Sequence, residues 1–294
     1  MQKAKRNHWV AQSYLRAFAA DGDRRQKIWR FSKEGGAPEL KPIENVAVRF
    51  HLYAPKRADG TRDYSFEKKL ADLENWFGDP LWSKLCHDMV DLQCEPLRKM
   101  VALLVAVMHL RNPAQFEQWK VVHKRIVGAC SALPELPSTV EHRGTAYDLD
   151  KDSWPAYRDA SEDDLKREWL KHVGQATWVA ELLMKMRWAV VFSEEPVFIT
   201  SDSPVTFLHP SLRFQGINNP ETTLLFPLSP TRVLHMDNRH GEPDGHYYPL
   251  KHPAAVTNLL LWRGANTHMF AHRNPDIVCA ELVSMAEAQR SAVR

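Results

Sequence analysis

The chain lacks what would tie its fold to a covalent staple, a membrane or a familiar cofactor. Its four cysteines, Cys86, Cys94, Cys130 and Cys279, form no C-x-x-C pair, so neither a disulfide framework nor a cysteine zinc site is expected. They read as reduced thiols. No apolar run approaches the roughly 20 residues needed to span a bilayer. The opening MQKAKRNHW is charged with no hydrophobic stretch behind it, unlike a signal peptide, so a cytoplasmic protein with no membrane partner is expected. There is no P-loop, no G-x-G-x-x-G after a strand and no G-x-S-x-G. With no nucleotide-cofactor motif, ATP-driven, dinucleotide-dependent and α/β-hydrolase functions lose their usual support. H-E-x-x-H is missing too, and no internal repeat is visible.

What remains is an ordinary globular composition with 10 tryptophans, an excess that suits large core fillers or stacking surfaces. At 294 residues, folding removes about 75% of the unfolded chain's surface from water, so the core needs no staple. A net charge of +3 is too small to imply nucleic acid by itself. Its distribution is more telling. Lys3, Lys5, Arg6, Arg16, Arg24, Arg25, Lys27 and Arg30 face only Asp21 and Asp23 within the opening segment, leaving the rest of the chain slightly acidic. Such a patch can meet phosphates or can simply be a solvated terminal surface.

The periodicity predicts a short helix over 8–19, then a hairpin in which 27–31 alternates, Glu34-Gly35-Gly36 turns and 37–48 returns as a strand and a helical turn. Residues 64–128 are mainly helical. Gly78-Asp79-Pro80 breaks them once, and Pro113 predicts a kink or join near His109. The polar 131–160 stretch reads as a surface loop. Ser161, followed by three acids, caps a helix running to about Lys185. Strands are expected at 188–192, 197–200, 205–208, 223–226 and 232–236, then a helix at 253–263, a strand at 266–272 and a helix at 276–290. The expected fold is α+β: one domain over 1–294, with a central helical body (64–185) and a β-sheet built from the N-terminal hairpin and strands of the C-terminal half.

Several polar groups are candidates for chemistry. His8, Gln12 and Arg16 are spaced by four, and on a helix they would form one stripe able to grip a phosphate or carboxylate. The plainer reading is the wet face of an amphipathic helix. In 198-FITSDSPVTF-207 an apolar strand delivers Asp202 and Ser203 to its end, either at a pocket mouth or as a local Asx-turn. Arg111, just before Pro113, is an interior charge that needs a carboxylate such as Glu67, Glu74 or Asp202. Metal signals are weak: His268 and His272 lack an evident third ligand. Glu39-x-Lys41 after Asp21 or Asp23 echoes the acid…E-x-K of Mg²⁺-dependent nucleases, but such triplets arise by chance.

The opening 8-HWVAQSYLRAF-18 resembles the H-[YF]-[VI]-P-Q-x-Y-L-R-x-F opening of a large, mainly bacterial family known as domain of unknown function 4238. The likeness continues through 43-IENVAVRFHLY-53, the Glu67…Glu74 helix, 109-HLRNP-113, 198-FITSDSPV-205, 226-FPLSP-230 and Asn258, spanning roughly residues 7–275. Ala11 replaces the family's proline, so the first helix is expected to begin differently. The resemblance implies that His8, Gln12, Arg16, Glu67, Arg111 and Asp202 share one polar centre. It implies no reaction; the family's small stand-alone reading frames suggest a defence-type role by analogy alone.

Three functions stay open. The first is an enzyme on a phosphorylated or nucleic-acid substrate with nuclease-like phosphodiester chemistry. There His8 carries a proton, Arg16 and Arg111 clamp phosphate, and Asp202 with Glu67 serves as base or holds a divalent metal such as Mg²⁺. The second is a binding module for an anionic ligand or nucleic acid, with Gln12, Arg16, Arg111 and Ser203 as contacts. The third is a protein-interaction component whose polar groups form a structural core.

Overall fold

The computed structural model of the chain describes residues 6–20, 26–142, 145–148, 150–211 and 214–292. Lys3, Lys5, Asp21, Asp23, Arg24 and Arg25 lie outside the described residues, so half of the basic opening patch and the acid of the E-x-K reading do too.

The opening differs from the expected helix. Residues Arg6–His8 form strand β1, and the helix α1 covers only Gln12–Leu15 before a 3-10 turn over Arg16–Phe18. The reason is a competing ladder. Beyond the hairpin β2 (Lys27–Ser32) and β3 (Glu39–Pro42) comes β4 (Val48–Phe50), which pairs antiparallel with β1. Ala47 turns the chain at a left-handed φ of 47°, and its carbonyl accepts the Trp9 N–H at 3.0 Å. Backbone groups of 6–9 are thereby committed to strand pairing. Ala11 keeps φ −58°, the value at which proline is locked, so replacing the family's proline leaves the start of the helix intact.

The helical body follows its punctuation. It comprises α2 (Ser65–Glu74), α3 (Pro80–His87), α4 (Glu95–Leu110) and α5 (Pro113–Ser131). Pro113 does not kink one long helix but starts a new one, because Asn112 caps it by accepting the Ala114 N–H at 3.0 Å. The 131–160 stretch is more ordered than its composition suggests, containing a hairpin, β5 (Thr139–His142) with β6 (Thr145–Asp148), and the short helix α6 (Trp154–Arg158). The Ser161 cap forms a full capping box with Asp164. It opens α7 (Glu162–Gly174), and α8 (Ala176–Lys185) completes the body.

The C-terminal half supplies β7 (Arg187–Phe192), β8 (Thr200–Ser201), β9 (Thr206–Leu208), β10 (Thr223–Ser229), β11 (Arg232–Asp237) and β12 (His246–Pro249). The helix α9 (Ala254–Gly264), strand β13 (His268–Ala271) and helix α10 (Pro275–Ala292) follow. The architecture is α+β, with strands from both ends of the chain. The N-terminal hairpin joins the later strands in a four-stranded sheet, order β3-β2-β13-β8, and the others form a second sheet, β12-β7-β11-β10-β9. The four-stranded sheet is the one expected, and the five-stranded sheet stands beside it. The chain crosses between them at Asp202-Ser203-Pro204, where proline withholds a ladder donor. The segment before β8 is held by Asn258, fully buried on α9. Its side chain accepts from the Ile199 N–H (3.1 Å) and donates to the Val197 carbonyl (2.8 Å). The larger apolar core joins α4, α7, α8 and one face of the five-stranded sheet to Tyr14, Leu15 and Phe18 of the opening segment; a smaller one lies between that sheet, α9 and α10.

Candidate functional site

The segment His8-Trp9 lines two cavities at once. On one side, Asn7, His8 and Gln12 meet Tyr53, Glu67 and Glu74 around a cleft of about 210 Å³. On the other, Trp9 lines an open groove of about 640 Å³ with Arg49, Glu117, Arg125, Asp202, Asn266 and Thr267.

In the cleft His8 and Gln12 do meet, though not along a helical stripe. His8 ends a strand, and Gln12 begins the helix behind it. The His8 Nε2–H donates to the Glu44 carbonyl at 3.0 Å, which leaves Nδ1 to accept from the Gln12 amide at 3.2 Å. Burial pulls the imidazole below its ordinary range, against the opposing pull of Glu44 and Glu74. His8 is thus a neutral ring with both nitrogens occupied inside the protein, which leaves neither for carrying a substrate proton.

Arg111 is buried to 1% exposure and tied down from two sides. Its Nη1 pairs with Glu74 Oε1 at 2.5 Å, its Nε donates to the Trp9 carbonyl at 3.0 Å, and Tyr53 donates its hydroxyl to the Arg111 carbonyl at 2.9 Å. Of the three carboxylates that could have neutralised it, Glu74 does so. The guanidinium therefore braces the wall shared by both cavities and is not free to clamp a ligand.

Glu67 differs. Its half-buried carboxyl has one oxygen, Oε1, with no partner, and Asn7 Oδ1 beside the same cleft is equally unpartnered. Burial raises the Glu67 pKa, offset in part by a hydrogen bond from Asn7. Two buried acceptors without donors among the described residues, in a cleft that Glu67 and Glu74 line along with Arg6, ask for a donor: a proton on Glu67 or a donor-bearing ligand.

Asp202 is 2% exposed and saturated. Its carboxylate accepts from the Asn266, Thr267 and His268 backbone N–H groups at 2.8, 2.9 and 3.0 Å and from the Thr267 hydroxyl at 2.8 Å. This is no local Asx-turn, since its partners lie 64–66 positions away. It staples the α9–β13 connection to the end of β8. The Asp202 carbonyl accepts from the Trp9 indole N–H at 2.8 Å and from Asn112 Nδ2 at 2.9 Å, fixing Trp9 in the groove wall. The Ser203 N–H turns back locally to Ser201 Oγ at 3.0 Å. Arg16 lies exposed on the 3-10 turn and lines neither cavity.

The expected polar centre therefore divides. His8, Gln12 and Glu67 share the cleft; Arg111 braces its wall; Asp202 belongs to the groove side; Arg16 joins neither. Sequence reasoning missed Asn7, Arg49 and Arg125. A signal for Arg125 was present: charge returns abruptly after Pro113, with Glu117, Lys120, Lys124 and Arg125 on a helix that buries only Pro113 and Phe116. Among the described residues no three His, Cys, Asp or Glu side chains are grouped as a metal site requires. His268 and His272 have separate partners, Thr267 Oγ1 (2.8 Å) and the Ala19 carbonyl (2.5 Å). Glu39 and Lys41 pair at 3.3 Å beside Arg30 on the surface hairpin.

The order of these motifs along the chain defines a class, and the comparison with known families agrees. The chain belongs to the family described as "Protein of unknown function (DUF4238)", whose profile matches residues 6–274. No curated protein and no solved structure matches the chain. Among the described residues no helix is long and apolar enough to cross a membrane.

Proposed function

We propose that the protein binds a phosphate-bearing ligand, a nucleotide or the end of a nucleic-acid strand, in the groove between α5 and Trp9. One observation carries this reading: two arginines from separate elements, Arg49 of β4 and Arg125 of α5, line the same groove as a half-buried indole whose N–H is already tied to Asp202. Guanidinium forks suit phosphate oxygens, and an indole held by its edge offers its face to a base. The groove's roughly 640 Å³ is within the range of small-ligand sites. The Asp202 carboxylate is turned into its loop, which leaves Glu117 as the opposing charge.

The test is binding of short labelled RNA and DNA oligonucleotides, and of nucleoside monophosphates, across a salt series. Affinity should fall with salt, by a log–log slope of about −0.7 per phosphate engaged on a single strand. The Arg49→Ala/Arg125→Ala protein should bind more weakly and flatten the slope by about one for each arginine removed. No binding of any of these probes at low salt refutes the proposal.

The nuclease-like reading, and with it a role in a defence system, keeps one supporting observation: the Glu67 carboxyl, whose pKa burial raises and whose Oε1 has no partner among the described residues. It requires oligonucleotide cleavage, with or without added Mg²⁺, that Glu67→Gln abolishes. A protein partner is favoured instead by the exposed Val121, Val122 and Ile126 on α5. That reading requires α5 substitutions to release a co-purifying protein without affecting oligonucleotide affinity.

A further inference from the structure

A third cavity, of about 500 Å³, opens on the far side of the five-stranded sheet, between β9, β11 and α9. Nothing in the groove reading uses it. It is lined by Thr206, Phe207, His209, Phe214, Arg239 and Arg263, among others.

Its polar lining residues are mostly hydrogen-bond donors and cations, with Glu221 the one carboxylate. The His209 side chain is 7% exposed, and its Nδ1 accepts the Ser211 backbone N–H at 3.1 Å. An Nδ1 that accepts carries no proton, so in the neutral ring the proton sits on Nε2. That Nε2–H is buried and has no hydrogen-bond partner among the described residues. Glu221 Oε2 lies 3.5 Å away, an ion pair only when the ring is protonated, on a side chain 65% exposed at the rim. Thr206, 2% exposed, also has a hydroxyl without a partner. Gly264 closes over that hydroxyl so tightly that a Cβ there would stand 2.3 Å from it. Among the described residues, neither the Arg239 nor the Arg263 guanidinium has an ion-pair partner. Two buried donors and two uncommitted cations thus border one space.

The remaining walls are apolar and aromatic. Phe207 and Phe214 stand 4.9 Å apart at 55°, Phe214 is 57% exposed at the mouth, and Leu260 closes another side. Buried donors left unpaired cost stability unless something accepts from them. We propose that this cavity is a binding site for a ring-bearing carboxylate. One carboxylate oxygen accepts from His209 Nε2–H and the Thr206 hydroxyl, the pair is neutralised by Arg263 and Arg239, and the ring lies against Phe207 and Phe214. A singly charged head fits better than a phosphate dianion, because Glu221 at the rim repels added negative charge and the apolar walls raise the cost of burying it.

Benzoate is the probe, with benzamide as its uncharged isostere and inorganic phosphate as the small anion, each titrated calorimetrically into the full chain. Benzoate should bind at least tenfold more tightly than benzamide, and phosphate should not displace it. Thr206→Val and Arg263→Met should each weaken benzoate at least fivefold. Thr206→Val is isosteric and removes an unpaired hydroxyl, so its Tm should not fall, which separates a ligand contact from a structural one. Equal binding of benzoate and benzamide overturns the proposal, as does benzoate affinity indifferent to Thr206→Val. Preference for phosphate overturns the ligand class. Loss of oligonucleotide binding to the α5 groove would leave every one of these outcomes unaltered.

Discussion

The cleft at His8 and the donor-lined cavity at His209 each hold two buried polar atoms with no partner among the described residues, yet their signs are opposite. In the first, Asn7 Oδ1 and Glu67 Oε1 are acceptors, and Glu74 adds a second carboxylate. In the second, Thr206 Oγ1 and His209 Nε2 present hydrogens beside two unpaired arginines. The cations differ accordingly. Arg111, behind the first cleft, is locked by Glu74 and the Trp9 carbonyl, whereas Arg239 and Arg263 have nothing to neutralise them among the described residues. A histidine in each makes the contrast sharper. His8 has spent both nitrogens on its own fold, while His209 has spent one and turns the other inward. Residue type alone does not make a site; what the fold leaves unspent does.

The largest effect expected from this contrast is on stability, and it is one-sided. Glu74→Gln leaves Arg111 as a buried charge without its carboxylate, which should cost about 3 kcal/mol in urea denaturation. Glu221→Gln, the corresponding removal of a carboxylate beside the His209 cavity, should change stability by no more than a few tenths of a kcal/mol, because that side chain is 65% exposed and makes no hydrogen bond to its neighbour. Similar costs for the two substitutions would erase the distinction between a structural charge and a spare one.

Much of the fold was legible, and the failures have physical causes. Caps and breakers are local chemistry, so Ser161 and Pro80 mark helix starts from sequence alone, and Pro113 announces a kink or join where a new helix in fact begins. Strand pairing is not local. Nothing in 6-RNHW-9 announces that Val48–Phe50 will take its backbone groups, and so the expected helix begins too early, at His8, the last residue of that strand. His8 and Gln12 were matched by spacing and do touch, but through a strand-to-helix corner. The Arg111 partner was narrowed to three carboxylates and no further, because spacing cannot choose among partners that packing brings together. Asp202 looked catalytic for the same reason that it is structural: a buried carboxylate at a strand end needs several donors, and the loop at 266–268 supplies them from 64–66 residues away. The polar 131–160 stretch shows no apolar alternation and so conceals its hairpin, and β12 (His246–Pro249) escapes notice as a short edge strand. The His209 cavity was invisible throughout. It exists only because β9 lies beside β10, β11 follows, and α9 packs across them.

A smaller effect should appear in the pH dependence of the first cleft. Burial raises the Glu67 pKa in the folded chain above its unfolded value, so the carboxyl is favoured in its protonated form by folding. The stabilisation tied to that proton is fully present below the unfolded value of about 4.3 and is lost as pH climbs through the higher folded value. Glu67→Gln cannot lose a proton and carries a permanent N–H₂ donor into a cleft that lacks one. Its Tm, measured against wild type from acid to neutral pH, should therefore gain on wild type as pH rises above that range and then hold a constant lead. A lead that shrinks with rising pH would mean that ionised Glu67 is stabilised by something in the cleft, and the acceptor-rich description would be wrong.

The least expected change in stability belongs to His209, and it sharpens the comparison most. His8→Phe should destabilise, because it strips the Glu44 carbonyl of its donor and the Gln12 amide of its acceptor, and each buried group left unpaired costs about 1–3 kcal/mol. His209→Phe gives up only the bonds at Nδ1 to the Ser211 N–H and hydroxyl, on a short exposed turn, and simultaneously removes a buried donor that had no partner. The two terms oppose, so thermal unfolding should shift by a degree or two in either direction while benzoate binding is lost. A fall in Tm as large as that of His8→Phe would mean that His209 Nε2 is satisfied within the folded chain. The cavity would then be, like the cleft at His8, a place where the fold has already used what the sequence supplied.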